Sequence, residues 1–298
     1  MNSQNIINFK KKYKNFIVKF KTRKAYKLFL ILIFALISYV ILNPIILKSS
    51  YANIAKKEIY VTAHRGSSLY YPENTLKSIE VAINENADYV EIDVRTTKDN
   101  EVVLFHDSNL KKIDGSNRSI KDMTLEEVKT VDNGYYKNEI FKDEKIPTLE
   151  EVFTIFKGKT KFNIELKVID KEDILPNQVS ELIKKYNMNS DVVVSCFDKD
   201  IIKQYKVNNP NTKTGLITSN KVKDINDISS DFISLKYNLL TETLVHELHD
   251  CNKEIHVWTV NDKEKIINAI NLGVDNIITD NASLVIEILN CKSLSIRD

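Results

Sequence analysis

The chain has 298 residues, of which 43% are hydrophobic and 28% charged, a composition that fits one large globular domain or two small ones. Its net charge of +2 is divided unevenly, because residues 1–27 carry eight lysines, one arginine and no acidic residue. The other residues carry 34 basic and 41 acidic side chains, a charge of −7. The positive charge therefore lies in an N-terminal arm, residues 1–27, and the rest of the chain is acidic. The net positive charge is for that reason no indication that the folded domain binds nucleic acid.

An uncharged apolar segment, residues 28–47, follows the arm. As a helix, its 20 residues would span about 30 Å, the thickness of a hydrocarbon core. Because nine positive charges precede it, it predicts a single-pass signal-anchor with a cytoplasmic N-terminus and an extracellular body. Residues 48–57 form a polar linker after it. The alternative is secretion after signal-peptide cleavage near Ala52, because Ser50-Tyr51-Ala52 has small residues at the spacing of a cleavage site.

Short β-like runs alternate with amphipathic stretches along residues 58–298. The β-like runs are 59–63, 89–94, 101–106, 161–167, 191–196, 214–217, 232–235, 255–260 and 276–279. The stretches with helical periodicity are 75–86, 148–156, 174–186, 200–208, 241–252 and 262–272. This alternation predicts an α/β fold, a parallel sheet closed into a (β/α)₈ TIM barrel.

One β-like run exceeds the eight strands of such a barrel, and we expect either 214–217 or 232–235 to be a short extra strand or a loop. Residues 107–146 are rich in Lys, Asp, Asn and Tyr and are predicted to be a small insertion after strand three. Within it, Thr124 and Glu127 have the spacing of a capping box that begins a helix. An open doubly wound sheet is the alternative fold, but no glycine-rich phosphate loop follows a strand.

Charged residues close four consecutive predicted strands, where the functional groups of a barrel lie. They are His64 and Arg65 on the first strand, Glu91 and Asp93 on the second, His106 and Asp107 on the third, and Glu165 and Lys167 on the fourth. Residues i and i+2 of a strand point to one face about 6.6 Å apart. We therefore expect these side chains to converge in one mouth of the barrel.

Three carboxylates in one mouth repel each other strongly unless a cation neutralises them. The carboxylates are those of Glu91, Asp93 and Glu165, and oxygen ligands of this kind favour Mg²⁺ or Ca²⁺ over zinc. The two histidines can act as acid and base near neutral pH. Arg65 and Lys167 can neutralise phosphate oxygens. The sequence thus predicts one divalent cation beside a phosphate site.

Nine short motifs follow one another in a fixed order along residues 59–285. They are His64-Arg65-Gly66, Pro72-Glu73-Asn74-Thr75, Glu91-Ile92-Asp93, Phe105-His106-Asp107, residues 146–151, Glu165-Leu166-Lys167, Ser195-Cys196-Phe197, residues 257–261 and residues 273–280. In this order the motifs resemble the glycerophosphodiester phosphodiesterase family. The resemblance implies a (β/α)₈ barrel with an insertion after strand three, and hydrolysis of glycerophosphodiesters to sn-glycerol 3-phosphate and an alcohol.

The resemblance also implies a role for each candidate residue. The cation ligands are Glu91, Asp93 and Glu165, the acid–base pair is His64 and His106, the phosphate contacts are Arg65 and Lys167, and the aromatic wall against the alcohol or glycerol moiety is Trp258. The insertion departs from the family pattern, since Lys112-Ile113-Asp114-Gly115 stands where an Arg-Thr-Thr-Gly-like opening is usual. Substrate preference stays open for that reason.

Two other functions are compatible with the same barrel. The site could cleave a lysophospholipid or a polyglycerol-phosphate (teichoic acid) polymer, or the domain could be a non-catalytic membrane-anchored binding module. The presence of both histidines and all three carboxylates disfavours the binding module. The sequence predicts no oligomeric state.

Several other features have simpler structural interpretations. His246-Glu247-Leu248-His249 lacks the spacing of a zinc-protease motif and is predicted to lie on a surface helix. Glu73 and Asn74 are expected to shape and cap the helix after strand one. The cysteines are odd in number and widely spaced, which predicts packing residues, with one disulfide pair as the alternative; they are Cys196, Cys251 and Cys291.

Overall fold

The computed structural model describes residues 12–14, 27, 59–170, 173–222 and 224–295. The chain divides into one unit of residues 1–57 and a second of residues 58–298. In the first unit, residues 12–14 are helical and exposed. The predicted signal-anchor at 28–47 and the linker at 48–57 lie outside the described residues. Among the residues that are described, no helix has the length and apolar character needed to span a bilayer.

A closed barrel of eight parallel strands forms the second unit. Its strands are β1 (Tyr60–Ala63), β2 (Tyr89–Thr96), β4 (Lys161–Leu166), β5 (Val192–Cys196), β6 (Lys213–Thr218), β7 (Phe232–Lys236), β8 (Glu254–Trp258) and β9 (Asn276–Thr279). Each strand pairs with its neighbour in this order, and β1 pairs with both β9 and β2, which closes the ring. The predicted TIM barrel is confirmed.

The ninth strand, β3 (Val102–Leu104), lies outside the barrel and runs antiparallel to β2. The expectation that 214–217 or 232–235 supplies the extra strand was wrong, because both runs are barrel strands. Only residues 97–101 connect β2 to β3, with Asn100 in the left-handed region at φ 67°. A parallel connection needs roughly a dozen residues or more, so this tight turn imposes a hairpin.

Six of the helices that cover the barrel lie close to the predicted stretches, and the helix after the last strand was not predicted. They are α1 (Leu76–Asn84), α4 (Leu149–Phe156), α5 (Leu175–Lys185), α6 (Lys199–Asn208), α7 (Glu242–Asp250), α8 (Lys263–Leu272) and α9 (Ala282–Ser295). Side-chain oxygens of Thr75, Thr148 and Asp198 accept hydrogen bonds from the first turns of α1, α4 and α6. Capping of this kind satisfies backbone donors that would otherwise lack partners and fixes where each helix begins.

Residues 107–146 follow β3 and contain α2 (Lys111–Asp114) and α3 (Leu125–Thr130). The predicted capping box is present, since the Thr124 hydroxyl and the Glu127 carboxylate each accept a hydrogen bond from the other residue's backbone N–H. The segment has its own apolar cluster, which includes Leu110, Ile120 and Val128. It is therefore a small packed unit carried on the β2–β3 hairpin.

The interior of the barrel is more polar than its outer layer. The Thr62 hydroxyl donates to Asn276 Oδ1 at 2.9 Å, and the Ser195 hydroxyl donates to Asn163 Oδ1 at 3.0 Å; all four residues are buried. Strand residues that face the helices are apolar and form the main core. Paired polar side chains inside the barrel satisfy each other's hydrogen bonds and so allow a polar interior beneath the mouth.

Candidate active site

A sharp turn after β1 places the first two candidate residues. Arg65 and Gly66 both lie in the left-handed region, at φ 57° and 80°. Glycine is required at 66 because a Cβ atom there would lie 2.4 Å from Ser78 Oγ. The turn brings the Arg65 backbone N–H to 2.8 Å from Glu91 Oε2. The strained backbone at Arg65 is thereby stabilised by a buried carboxylate on the neighbouring strand.

The three predicted carboxylates meet at the mouth of the barrel. Asp93 on β2 lies in register with Glu165 on β4, and Glu91 lies two residues before Asp93. Their relative exposures are 4% for Glu91, 0% for Asp93 and 8% for Glu165. One oxygen of each lies within 4.8 Å of one oxygen of the other two. This buried acidic trio could hold a metal ion.

Two cations partly neutralise the acidic trio. Lys167 Nζ lies 3.1 Å from Asp93 Oδ1 and forms a second ion pair with Glu165. Arg65 Nε lies 3.3 Å from Asp93 Oδ2. Among the described residues no donor reaches the buried Glu91 Oε1. Three carboxylates therefore face these two cations, and the acidic trio keeps an excess of negative charge.

The pKa values reflect this imbalance. Burial, together with Asp93 and Glu165, raises the pKa of Glu91 well above its ordinary value. Burial and Asp93 raise the pKa of Glu165 to about 7. Burial also acts to raise the pKa of Asp93, but Lys167, Arg65 and His106 lower it far below its ordinary value. A divalent cation fits this donor set, because it would supply the missing positive charge and a partner for Glu91 Oε1.

Glu73 and Asn74 support the site, and the expectation that they cap α1 was wrong. The cap is Thr75, whereas Asn74 Nδ2 donates to Asp93 Oδ2 at 2.9 Å and the Asp93 backbone N–H donates to Asn74 Oδ1 at 3.0 Å. Glu73 accepts from Arg65 Nη1 at 3.1 Å and from Lys112 Nζ at 2.7 Å. The motif after β1 therefore orients both the central carboxylate and the arginine.

Each candidate histidine is held by an aspartate. His64 Nδ1 lies 2.6 Å from Asp280 Oδ1, and His106 Nδ1 lies 2.7 Å from Asp107 Oδ1. Burial is the main cause that lowers the pKa of His106, and Lys167 and Arg65 add to it. Because Nδ1 is the atom that each aspartate engages, Nε2 is the nitrogen left for chemistry in the cavity.

A cavity of about 140 Å³ joins these groups. Seven of the eight predicted site residues line it: His64, Arg65, Glu91, His106, Glu165, Lys167 and Trp258. Asp93 is fully buried and does not line the cavity. It forms ion pairs with Arg65 and Lys167, which do line it. The structure thus brings the predicted residues together around one space.

An aromatic pair forms the apolar wall of the cavity. The rings of Phe197 and Trp258 are 5.9 Å apart and nearly perpendicular, and the Trp258 indole N–H donates to Ser234 O at 3.1 Å. Phe197 is 48% exposed, and Lys167 Nζ lies 5.9 Å from the centre of its ring. Sequence reasoning missed Phe197 as a site residue, although it directly follows β5 and so lies at the mouth.

Features given simpler interpretations from the sequence lie elsewhere. His246 and His249 belong to α7, and His249 Nε2 contacts Asp275 Oδ2 at 2.8 Å, at the opposite end of the barrel. The thiols are free; Cys196 is buried, Cys251 is partly buried and Cys291 is exposed. Burial raises the pKa of Cys196 to about 11, as expected for a packing residue.

Known proteins that are similar to this chain belong to the family that its motifs resemble. The model of the glycerophosphoryl diester phosphodiesterase family matches residues 64–284. A glycerophosphodiester phosphodiesterase of Caldanaerobacter subterraneus subsp. tengcongensis is 33% identical over 236 residues, which cover 77% of this chain and 97% of the relative. A lysophospholipase D of Mus musculus is 27% identical over 270 residues, covering 76% of this chain and 85% of the relative.

Solved structures agree with the observed fold. An Oleispira antarctica phosphodiesterase, determined in complex with the product sn-glycerol-3-phosphate, has a TM-score of 0.73 and 25% identity. The alignment covers 78% of this chain and 96% of that one. The family match spans the barrel from His64, after β1, into α9, and so includes every predicted site residue. The chain belongs to the glycerophosphoryl diester phosphodiesterase family.

Proposed function

We propose that this enzyme hydrolyses glycerophosphodiesters to sn-glycerol 3-phosphate and an alcohol, with one divalent cation and two histidines. The observation that carries the proposal is the buried acidic trio, whose carboxylate oxygens lie within 4.8 Å of one another beside a cavity lined by both histidines. This arrangement combines a metal site, proton carriers and phosphate contacts in one place. A binding module would have no need of the two aspartate-held histidines.

Glu91, Asp93 and Glu165 would ligate the cation. When bound, a hard cation such as Mg²⁺ or Ca²⁺ would polarise the phosphoryl group and offset the charge of the carboxylates. Asn74 keeps Asp93 oriented through two hydrogen bonds, and Arg65 holds Glu91 through its backbone N–H. Partner groups of this kind orient metal ligands before the metal arrives.

The two histidines would carry out the proton transfers. One Nε2 removes a proton from the attacking oxygen, and the other Nε2 donates a proton to the leaving alkoxide. Arg65 and Lys167 already contact carboxylates, and both also line the cavity, so they can balance the phosphate without leaving their ion pairs. Their ionic hydrogen bonds would strengthen as negative charge develops on the phosphoryl oxygens.

Lysophospholipase D activity at the same site is the second candidate. The Mus musculus relative bears that name, and the Phe197 ring gives the mouth an exposed apolar edge. Leu69 and Tyr70, in the loop after β1, are exposed as well, at 39% and 65%. Apolar side chains at the mouth would tolerate an acyl chain that extends out of the cavity.

We also propose a location for the enzyme, at the cell membrane with its catalytic domain outside. The arm of nine positive charges and the apolar segment 28–47 favour a cytoplasmic N-terminus with the catalytic domain outside the membrane. Protease added to intact cells should then remove the domain. Protection of the domain in intact cells, with digestion only after lysis, would contradict this orientation.

The activity test uses the full chain in detergent with glycerophosphocholine, with and without chelator, beside His64→Ala and His106→Ala. We expect metal-dependent release of glycerol 3-phosphate from the unmodified enzyme and a fall in its rate of about 10²–10⁴-fold in both variants. No release by the metal-loaded enzyme would refute the diesterase proposal. Release of choline from lysophosphatidylcholine, with no cleavage of glycerophosphocholine, would favour the second candidate.

A further inference from the structure

Asp280 connects three loops at the mouth of the barrel. It is the first residue after β9, and its Oδ1 accepts from the Ser68 hydroxyl at 3.0 Å and contacts His64 Nδ1 at 2.6 Å. Its other oxygen, Oδ2, accepts from Asn261 Nδ2 at 2.5 Å. Its side chain thus contacts groups that follow β1 and β8, and none of these contacts was predicted from the sequence.

The backbone of Asp280 is held as firmly as its carboxylate. The Asp280 N–H donates to Asn261 Oδ1 at 2.9 Å, and its carbonyl accepts from the Leu69 N–H at 3.0 Å. Asn261 Oδ1 also accepts from the Thr279 hydroxyl at 3.0 Å. With both its main chain and its side chain fixed, Asp280 has little freedom to leave the imidazole.

The carboxylate of Asp280 is ionised at neutral pH. Burial acts to raise its pKa, but the hydrogen bond and charge of His64, with help from Asn261, lower the pKa to about 2. An ionised carboxylate only accepts hydrogen bonds, so the imidazole must present a proton on Nδ1. In a neutral histidine this leaves Nε2 as the unprotonated acceptor, and the His64 side chain lines the cavity.

We infer that Asp280 is a positioning residue that fixes the tautomer and orientation of His64, and that Asn261 holds Asp280 in place. This inference rests on the proposed role of His64 as a proton carrier. Asp280 touches neither substrate nor cation in this scheme, and it acts only through the imidazole.

The second histidine is held differently, which makes the inference specific to His64. The His106 contact joins neighbouring residues of one loop, whereas the His64 contact joins positions 216 residues apart in the chain. The Asp107 side chain is 39% exposed, against 28% for Asp280. Arg95 also restrains His106, since its Nη2 donates to the His106 carbonyl at 2.7 Å. We therefore assign the stronger side-chain restraint to His64.

A double-mutant cycle tests the inference by its dependence on His64. Asp280→Asn should lower kcat at least about 10²-fold and change KM less than about three-fold, because the amide can turn the imidazole to the wrong tautomer. In the His64→Ala background the same substitution should change kcat less than about three-fold. Equal losses in both backgrounds, or no loss in the first, would overturn the inference.

Asp275→Asn is the matched control, because Asp275 also contacts a histidine, His249, but at the other end of the barrel. This variant should keep its kcat even if its melting temperature falls. A parallel loss of kcat in Asp275→Asn and Asp280→Asn would mean that Asp280 is merely structural.

Nitrogen-15 NMR of the histidine rings gives a readout independent of turnover. At a pH where His64 is neutral, we expect its proton on Nδ1, and we expect that signature to disappear in Asp280→Asn. A His64 protonated on Nε2 in the unmodified enzyme would contradict the inference, whatever the activity. If His64→Ala kept full activity while NMR showed the Nδ1 proton, the acid–base role would fail and the positioning geometry would stand.

Discussion

The two ends of the barrel both contain charged groups, but their charges are balanced differently. At the N-terminal end, Glu254 lies between two potential cations, with Oε1 near Lys213 Nζ at 2.5 Å and Oε2 near His256 Nε2 at 3.2 Å. At the mouth, three buried carboxylates face two cations, and Glu91 Oε1 has no donor among the described residues.

This difference separates a stabilising arrangement from a functional one. The pKa of Glu254 falls to about 2 through its contacts with His256 and Lys213, whereas burial lowers the pKa of His256, so Lys213 is the cation that balances Glu254. At the mouth, burial and neighbouring carboxylates raise the pKa of Glu165 to about 7. Like charges kept close in a buried site are costly to folding and are therefore characteristic of catalytic and metal centres.

The largest expected effect concerns the histidines. His106→Ala should lower kcat about 10²–10⁴-fold, because one proton transfer loses its carrier. His249→Ala, at the opposite end, should leave kcat unchanged within about two-fold. Steady-state kinetics of both variants would check the contrast. A loss of kcat in both of comparable size would show that the two ends do not differ in function.

Glu91→Gln should separate activity from stability. The variant should need roughly 10²-fold more divalent cation for half-maximal activity, because one ligand has lost its charge. In chelator it should melt at a higher temperature than the unmodified enzyme, since repulsion within the acidic trio is reduced. Cation titrations of activity and thermal melts measure the two effects. A lower melting temperature in chelator would contradict the account of the imbalance.

The stability of the metal-free enzyme should depend on pH through the titration of Glu165. With a pKa of about 7 when folded and an ordinary value of 4.5, Glu165 binds more protons in the folded state than in the unfolded chain between these pH values. Stability must therefore fall as pH rises through this window, by on the order of 1–3 kcal/mol.

Comparison with Glu165→Gln isolates this contribution from those of the histidines. Urea unfolding in chelator at pH 5 and pH 8 should show the stability of the unmodified enzyme falling relative to the variant. A constant difference between the two proteins would mean that Glu165 does not titrate in this range.

The smallest effect is expected at the N-terminal end. Glu254→Gln weakens contacts of a side chain that is 36% exposed, so the free energy of unfolding should fall by only about 1 kcal/mol. The substitution lies far from the cavity, and kcat should stay the same. Urea unfolding and kinetics of this variant check both statements. A large drop in kcat would show that the two ends are coupled.

Strand and helix patterns predicted the barrel but not every strand pairing. Periodicity identified 101–106 as extended, yet it carries no information on the direction of pairing. The signal was present in the connection, because residues 97–101 are too few for a parallel crossover. The consequence is that His106 follows a hairpin strand outside the barrel rather than a barrel strand.

The candidate site was predictable where residues share a strand and unpredictable where distant loops meet. Glu91 and Asp93 follow from the two-residue period, and Lys167 comes one residue after the end of β4. Asp280 contacts His64 although the two residues are 216 positions apart in the chain, and no local sequence pattern predicts that contact. Asn74 was misassigned for a related reason, since its left-handed backbone at φ 55° turns its side chain toward Asp93 instead of the helix.

The most direct test of the central claim is a metal titration of the chelator-treated 298-residue chain, with release of glycerol 3-phosphate from glycerophosphocholine as the readout. We predict negligible release without metal and saturable recovery as Mg²⁺ or Ca²⁺ is added. Asp93→Asn should not recover at cation concentrations that saturate the unmodified enzyme. Full activity of the metal-free enzyme, or normal recovery of Asp93→Asn, would contradict the assignment of the buried carboxylates as the cation site.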